Sequence, residues 1–174
     1  MIDDTIRDAA ARVLDACRSG GLKVAAAESC TGGLVAGALT EIAGSSDVFD
    51  RGFVTYSNAA KQEMLGVAAA ILERHGAVSR ETAEAMARGA LAASNADLAI
   101  AITGIAGPGG GSAAKPVGLV HFAAAARDGQ RVHREKRYAD IGRSAVRKKA
   151  VAEALAMLEL LAAGVQTKSK PGRA

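Results

Sequence analysis

Residues 97 to 103, DLAIAIT, place five apolar side chains in succession and run directly into the loop TGIAGPGGG. A strand without polar alternation is stable only when both of its faces are covered. That requirement alone asks for a sheet with helices on either side, and therefore for an α/β chain. The surrounding segments supply those helices. Residues 3 to 18 set Ile6, Ala10, Val13, Leu14 and Cys17 on one side at helical spacing, until Gly20-Gly21 interrupts the pattern. Leu34 to Ile42 has a helical period. SNAAKQEMLG starts a helix on a Ser57 or Asn58 cap, and Ile71 to His75 continues the helical character. VSRETAEAMARGALAAS, 78 to 94, opens on Ser79, with Glu81 and Glu84 suited to the positive end of the macrodipole. Gly142 to Ala163 forms a last long helix.

Four more strands are expected around the central one: Lys23 to Ala27, Arg51 to Tyr56, Val117 to Ala126 and Arg131 to Tyr138. The last two flank Arg127-Asp128-Gly129-Gln130, a hairpin signal because Asp-Gly tolerates positive φ. A tight hairpin forces an antiparallel pair, whereas the preceding strands alternate with helices. The order therefore predicts a three-layer α/β/α sandwich around a mixed sheet. At 174 residues the chain reads as one domain, 1 to 163, large enough to bury roughly two-thirds of its unfolded surface. Residues 164 to 174 read as a disordered basic tail.

Charge and composition exclude several functions. The net charge of +4 includes Lys168, Lys170 and Arg173 of the tail, which leaves the body at +1. A nucleic-acid binder concentrates basic charge on its fold, and stacking on bases needs aromatics, of which the chain has two Tyr, three Phe and no Trp. No nucleic-acid partner is expected. Arg143, Arg147, Lys148 and Lys149 read as the solvated face of the last helix. Two cysteines are too few for a disulfide framework, no apolar run reaches membrane-spanning length, and the amino terminus carries acids where a signal peptide carries bases. A cytoplasmic protein without a membrane partner is expected.

Polar chemistry gathers at three strand ends: ESCTGG (28–33), YSNAAK (56–61) and TGIAGPGGG (103–111). In open α/β sheets the carboxyl ends of parallel strands share one edge, where ligands bind. In ESCTGG a hydroxyl sits at a strand-to-helix turn, and Gly32 and Gly33 let a ligand approach the backbone. Ser29 or Thr31 can equally be an ordinary helix cap. A nucleophilic serine needs a base, and His75, His121 and His133 all fall outside the three loops. Lys61 serves if it is neutral. Lowering its pKa from about 10.4 to about 7.5 needs roughly 4 kcal/mol of differential stabilisation, which burial or a nearby cation supplies. Its alternative is a solvated helix lysine. Tyr56 either donates a hydrogen bond at the rim or packs as a core residue. Thr103 ends the central strand with a hydroxyl that can orient Ser29 or a substrate. The glycine loop lacks the Gly-Lys-Ser/Thr of a phosphate-binding P-loop and reads either as an anion-binding nest or as a flexible connection. Cys and His show no ligand spacing, so no metal is expected.

Taken in order, ESCTGG, AGSSDVFDRGFVTYSNAAK, HGAVS and TGIAGPGGGSAAKPVG resemble the CinA carboxy-terminal domain family over residues 5 to 163, in its stand-alone form without the second, amino-terminal domain of the fused members. The resemblance implies a five-stranded, mostly parallel sheet with one antiparallel strand. It also implies hydrolysis of the carboxamide of nicotinamide mononucleotide (NMN) to nicotinic acid mononucleotide and ammonia, a step of pyridine-nucleotide recycling. The implied mechanism has Ser29 as nucleophile, Lys61 as base, Tyr56 and Thr103 assisting, and no cofactor or metal. On this reading backbone N–H groups around Thr31, Gly32 and Gly33 hold the oxyanion. Gly104, Gly107 and Gly110, with Ser45 and Ser46, hold the ribose phosphate. Two other readings stay open: a non-catalytic nucleotide-binding module associated with competence or DNA damage, and Cys30 as the nucleophile. The alanine-rich helix surfaces suit packing against a second copy, so a homo-oligomer is expected.

Overall fold

The structure, a computed structural model, describes residues 2–169. Helix α1 (Asp4–Gly20) begins where the Asp3 carboxylate accepts the N–H of Ile6 at 3.1 Å and ends on Gly21 in the left-handed region. It buries the predicted stripe of Ile6, Ala10, Val13, Leu14 and Cys17. There follow β1 (Val24–Glu28), α2 (Leu34–Thr40), a short 3-10 turn (Ser45–Asp47), β2 (Phe49–Val54), α3 (Asn58–Leu65), α4 (Ala69–His75), α5 (Arg80–Ala92), β3 (Leu98–Gly104), β4 (Leu119–Ala126), β5 (Arg131–Arg137) and α6 (Arg143–Ser169).

The five strands form one sheet in the order β2-β1-β3-β4-β5. Strands β1, β2 and β3 are mutually parallel, β4 runs against β3, and β5 runs against β4. Only β4 is reversed, so the sheet is mixed with one antiparallel strand, as expected. The strand read from DLAIAIT is central and its side chains divide by period two. Leu98, Ile100 and Ile102 face a core shared with α1, α2 and α6, while Ala99 and Ala101 face a second core with α5. Ala25 and Ala27 of β1 and Ala123 and Ala125 of β4 extend that alanine face. Small side chains there let α5 lie close against the sheet, which explains a core poor in aromatics.

Most boundaries shift by one or two residues, and two differences bear on the site and the carboxyl end. Strand β2 starts at Phe49 and ends at Val54, because its register follows β1 from Val24↔Phe49 to Glu28↔Val54 and leaves Tyr56 beyond the ladder. Helix α6 continues past Ala163 to Ser169, with Val165 packed against the larger core. The disordered tail expected from residue 164 is thus helical to 169, and residues 170–174 lie outside the described residues.

Candidate active site

The carboxyl ends of β1, β2 and β3 converge through backbone bonds that continue the sheet by one residue. Ser29 donates its N–H to the carbonyl of Ile102 at 2.9 Å, and Thr55 donates to the carbonyl of Glu28 at 2.8 Å. Ser57 then caps α3, its hydroxyl accepting the N–H of Ala60 at 3.0 Å. This cap puts Lys61 in the first turn of α3, from which its side chain reaches back over the sheet edge. Lys61 is only 1% exposed. Its Nζ lies 3.1 Å from Ser29 Oγ and donates to the carbonyl of Thr55 at 2.8 Å.

No carboxylate pairs with Lys61 among the described residues. Burial pushes its ammonium below the usual lysine value of 10.5, because an ion loses hydration there without gaining a counter-charge. A neutral amine fits the contacts well. One N–H goes to Thr55, and the lone pair is left to accept the Ser29 hydroxyl proton.

Glu28, which sequence reasoning left without a role, is 1% exposed on the last position of β1. Its carboxylate accepts the N–H groups of Gly33 (3.0 Å), Val35 (3.1 Å) and Ala36 (2.8 Å). It therefore caps α2 from outside the helix and occupies amides that a ligand would otherwise use. The turn between them needs two left-handed residues, supplied by Gly32 (φ 58°) and Gly33 (φ 92°). The Gly32 N–H closes the turn on the carbonyl of Ser29 at 3.1 Å.

Of the basic residues at the start of α6, Arg143, Lys148 and Lys149 are exposed, as a solvated face requires, and Arg147 is half-buried; all four also make contacts with the fold. Arg147 donates to the carbonyls of Cys30 (3.1 Å) and Thr31 (2.8 Å). Arg143 donates to the carbonyl of Gly107 (3.0 Å) and to the hydroxyl of Tyr56 (2.8 Å). Lys148 pairs with Asp3, and Lys149 lies 5.8 Å over the Tyr138 ring. The spacing of 143 and 147 is the available sequence signal, since i and i+4 share one helix face.

The other expected residues divide. Thr103 is fully buried and donates to the carbonyl of Ala77 at 2.7 Å, so its hydroxyl ties β3 to the segment before α5. Tyr56 is 61% exposed and bonded to Arg143, with no hydrogen bond to the Ser29–Lys61 pair. Gly104 lies tight against β4, for a Cβ would lie 2.8 Å from the Leu119 carbonyl oxygen. Gly107 and Gly110 both have positive φ, and Gly107 meets Arg143 through its carbonyl. The hydroxyls of Thr31 and Thr55 are buried without a partner.

Ser45 and Ser46 are not brought to this edge. Val48 donates to the carbonyl of Ser45, and Val24, the first residue of β1, donates to the carbonyl of Val48. The pair thus sits at the amino end of the strands, one strand length of roughly 16 Å from Ser29. A phosphate held by Ser45 or Ser46 of the same chain is corrected accordingly.

Cys30 is buried and its thiol is pushed up to about 12, chiefly by desolvation, so it is no thiolate near neutrality. His121 and His133 face each other across β4 and β5 at 3.1 Å, and His75 ends α4. Among the described residues no three His, Cys, Asp or Glu gather as a metal would need, and no helix is long and apolar enough to cross a membrane.

Against known proteins, residues 6–162 match the family described as CinA C-terminal domain. The chain is 49% identical over 158 residues to the nicotinamide-nucleotide amidohydrolase PncC of Escherichia coli K12, covering 91% of this chain and 95% of that protein. It is 53% identical over 130 residues to the PncC of Enterobacter agglomerans, covering 75% and 79%. The crystal structure of the competence/damage inducible protein CihA from Agrobacterium tumefaciens superposes with a TM-score of 0.91 at 58% identity, covering 92% of this chain and 98% of that one.

Proposed function

The chain belongs to the CinA C-terminal domain family, and on that premise we propose that it hydrolyses the carboxamide of NMN, releasing ammonia and leaving nicotinic acid mononucleotide for reuse in pyridine-nucleotide synthesis. The observation that carries this reading is the 3.1 Å contact between Ser29 Oγ and a buried Lys61 without a counter-charge. The amidohydrolase names of its relatives supply the substrate.

Neutral Lys61 takes the Ser29 proton as Oγ attacks the amide carbon, forming a tetrahedral oxyanion. The resulting ammonium gives that proton to the departing nitrogen as the C–N bond breaks, leaving a nicotinoyl ester on Ser29 and free ammonia. A water then attacks the ester, Lys61 accepts its proton, and the proton returns to Oγ as the acid leaves. Burial lowers the pKa of Lys61, which moves the amine toward the neutral form that a general base requires. Arg143, bonded to the Gly107 carbonyl and the Tyr56 hydroxyl, offers a cation for the ribose phosphate, with the glycine loop 104–111 beside it.

Incubation with NMN tests the reading. The expected products are ammonia and nicotinic acid mononucleotide in equal amounts. Saturable binding of NMN without either product would replace the enzyme with a non-catalytic nucleotide-binding module.

A further inference from the structure

Strands β3 and β4 are antiparallel neighbours, and the pairing continues past them through Ile105, which donates to the Leu119 carbonyl at 2.9 Å, and Gly118, which donates to that of Ile105 at 2.8 Å. A hairpin of about 2–5 residues is enough to join such strands. Residues 106–117 take a far longer path, along which Pro108 to Ala114 are exposed. The loop is packed on itself. A Cβ on Gly107 would lie 2.7 Å from the Val117 side chain, and one on Gly111 would lie 2.8 Å from the Val117 amide nitrogen. Ser112 donates its N–H to the Lys115 carbonyl at 2.8 Å, and its hydroxyl accepts the Lys115 N–H at 3.1 Å. A loop closed in this way moves as one piece.

Among the described residues, two side chains fasten that piece to the rest of the fold by hydrogen bonds. The first is Arg143, which joins the Gly107 carbonyl to the Tyr56 hydroxyl. In the order β2-β1-β3, the strand that leads to Ser29 lies between the other two. Gly107 lies just past β3 and Tyr56 just past β2, so the link between them spans the end of β1. The second is Lys115, whose ammonium donates to the His75 carbonyl at 2.6 Å. His75 is the last residue of α4, where a helix leaves its carbonyls open and favours a cation. The segment that Lys115 grips is itself fixed. Thr82 and Ser79 donate to the Gly76 carbonyl at 2.7 and 3.1 Å, and Thr103 at the end of β3 donates to that of Ala77.

We propose that Lys115 is a positioning residue for substrate: its ammonium latches the packed loop 106–117 to the carboxyl end of α4, and so holds the loop in place across the Ser29 end of β1. Lys115 takes no part in bond making. It fixes a wall of the site against which the nucleotide binds. The inference rests on the proposed function for its substrate and on Ser29 as the nucleophile.

The test compares the wild type with Lys115→Met, which keeps a long side chain and loses its donors, and with Lys115→Arg, which keeps a cationic donor. Lys115→Met is expected to raise KM for NMN about tenfold or more, the scale of a lost hydrogen bond from a charged group. Its kcat should stay within about threefold of wild type, the pattern of an interaction made equally in the ground and transition states. Lys115→Arg should recover most of the loss. Two further readouts do not need NMN. Labelling of Ser29 by diisopropyl fluorophosphate, followed by intact mass, should run at the wild-type rate or faster in Lys115→Met, because a small reagent needs the nucleophile and not the latch. Elastase cleavage between Ala113 and Ala114 should be faster in Lys115→Met than in wild type or Lys115→Arg. An unchanged KM in Lys115→Met would overturn the inference. So would a fall in kcat with slowed labelling, which would place the effect on Ser29 and Lys61. A Lys115→Arg variant as impaired as Lys115→Met would also overturn it, since the donated bond would then not be what holds the loop. If the wild type labels at Ser29 yet leaves NMN intact, the proposed substrate fails, and cleavage decides the latch: equal rates in wild type and Lys115→Met would sink it.

Discussion

In the proposed mechanism the base chemistry falls to one side chain, Lys61. A lysine that is 1% exposed without an ion-pair partner among the described residues costs the fold stability whenever it is protonated. The sign of that cost is fixed. The folded protein holds the proton more weakly than the unfolded chain, so stability rises with pH between the lowered pKa of Lys61 and the ordinary lysine value of 10.5. Above that value both states are neutral and the penalty is gone; below the lowered pKa it is present in full. Lys61→Met lacks this dependence. The difference in unfolding free energy, wild type minus Lys61→Met, should therefore climb with pH across that window in parallel denaturant titrations, whatever offset the lost bond to Thr55 introduces. A difference that stays flat with pH would show that Lys61 has an unshifted pKa. Residue types and the lack of histidine in the three loops left Ser29 and Lys61 open between a catalytic and a plain role, the family resemblance paired them, and the structure brings their side chains to 3.1 Å. The role of Glu28 was not legible, because a carboxylate beside a nucleophile suggests chemistry, and only coordinates reveal that its oxygens are occupied by amides.

At the scale of elements, α3 matters because it carries Lys61, and its position is set from behind by α5. A Cβ on Gly89 of α5 would lie 2.0 Å from the carbonyl oxygen of Leu65, the last residue of α3. Backbone cannot yield that distance without moving the helix. Gly89→Ala should therefore destabilise the protein by about 1–3 kcal/mol, the range of an overpacked contact, and should lower kcat more than a melting shift alone explains, because α3 withdraws Lys61 from Ser29. Thermal melts read against turnover at a temperature where the variant is folded check this, and full activity in a destabilised variant would contradict it. Gly89 is invisible to sequence reading, since a glycine inside VSRETAEAMARGALAAS looks like a mild helix defect. The strands and helices themselves were legible from periodicity and caps; Ser57 and Ser79 both cap as expected, accepting from Ala60 and Thr82. The contacts of Arg143 and Arg147 were hidden from the sequence for the same reason as those of Glu28. A basic helix face looks solvated until the neighbouring loops are placed against it.

For the whole molecule, one sheet edge collects what three separate segments supply, and the apolar central strand is the reason. Covered on both faces and paired in parallel with β1, itself parallel to β2, β3 shares one carboxyl edge with both, and so Ser29 and Lys61 come together across 32 positions of sequence. Topology of this kind was legible because it follows from strand order, and so was the place of Ser45 and Ser46, which their assignment to the phosphate overlooked. Their motif precedes β2, and a segment before a parallel strand lies at the opposite edge from a segment after it. The account as a whole stands on the claim that Ser29 and Lys61 act as a nucleophile and base on an amide. The most direct test is ammonia release from NMN by purified Ser29→Ala and Lys61→Ala, with folding checked by circular dichroism. The account predicts no measurable turnover for Ser29→Ala and a loss of about 10²–10⁴-fold for Lys61→Ala, the range of general-base catalysis. Turnover within about tenfold of wild type, outside that range, by either folded variant would contradict it.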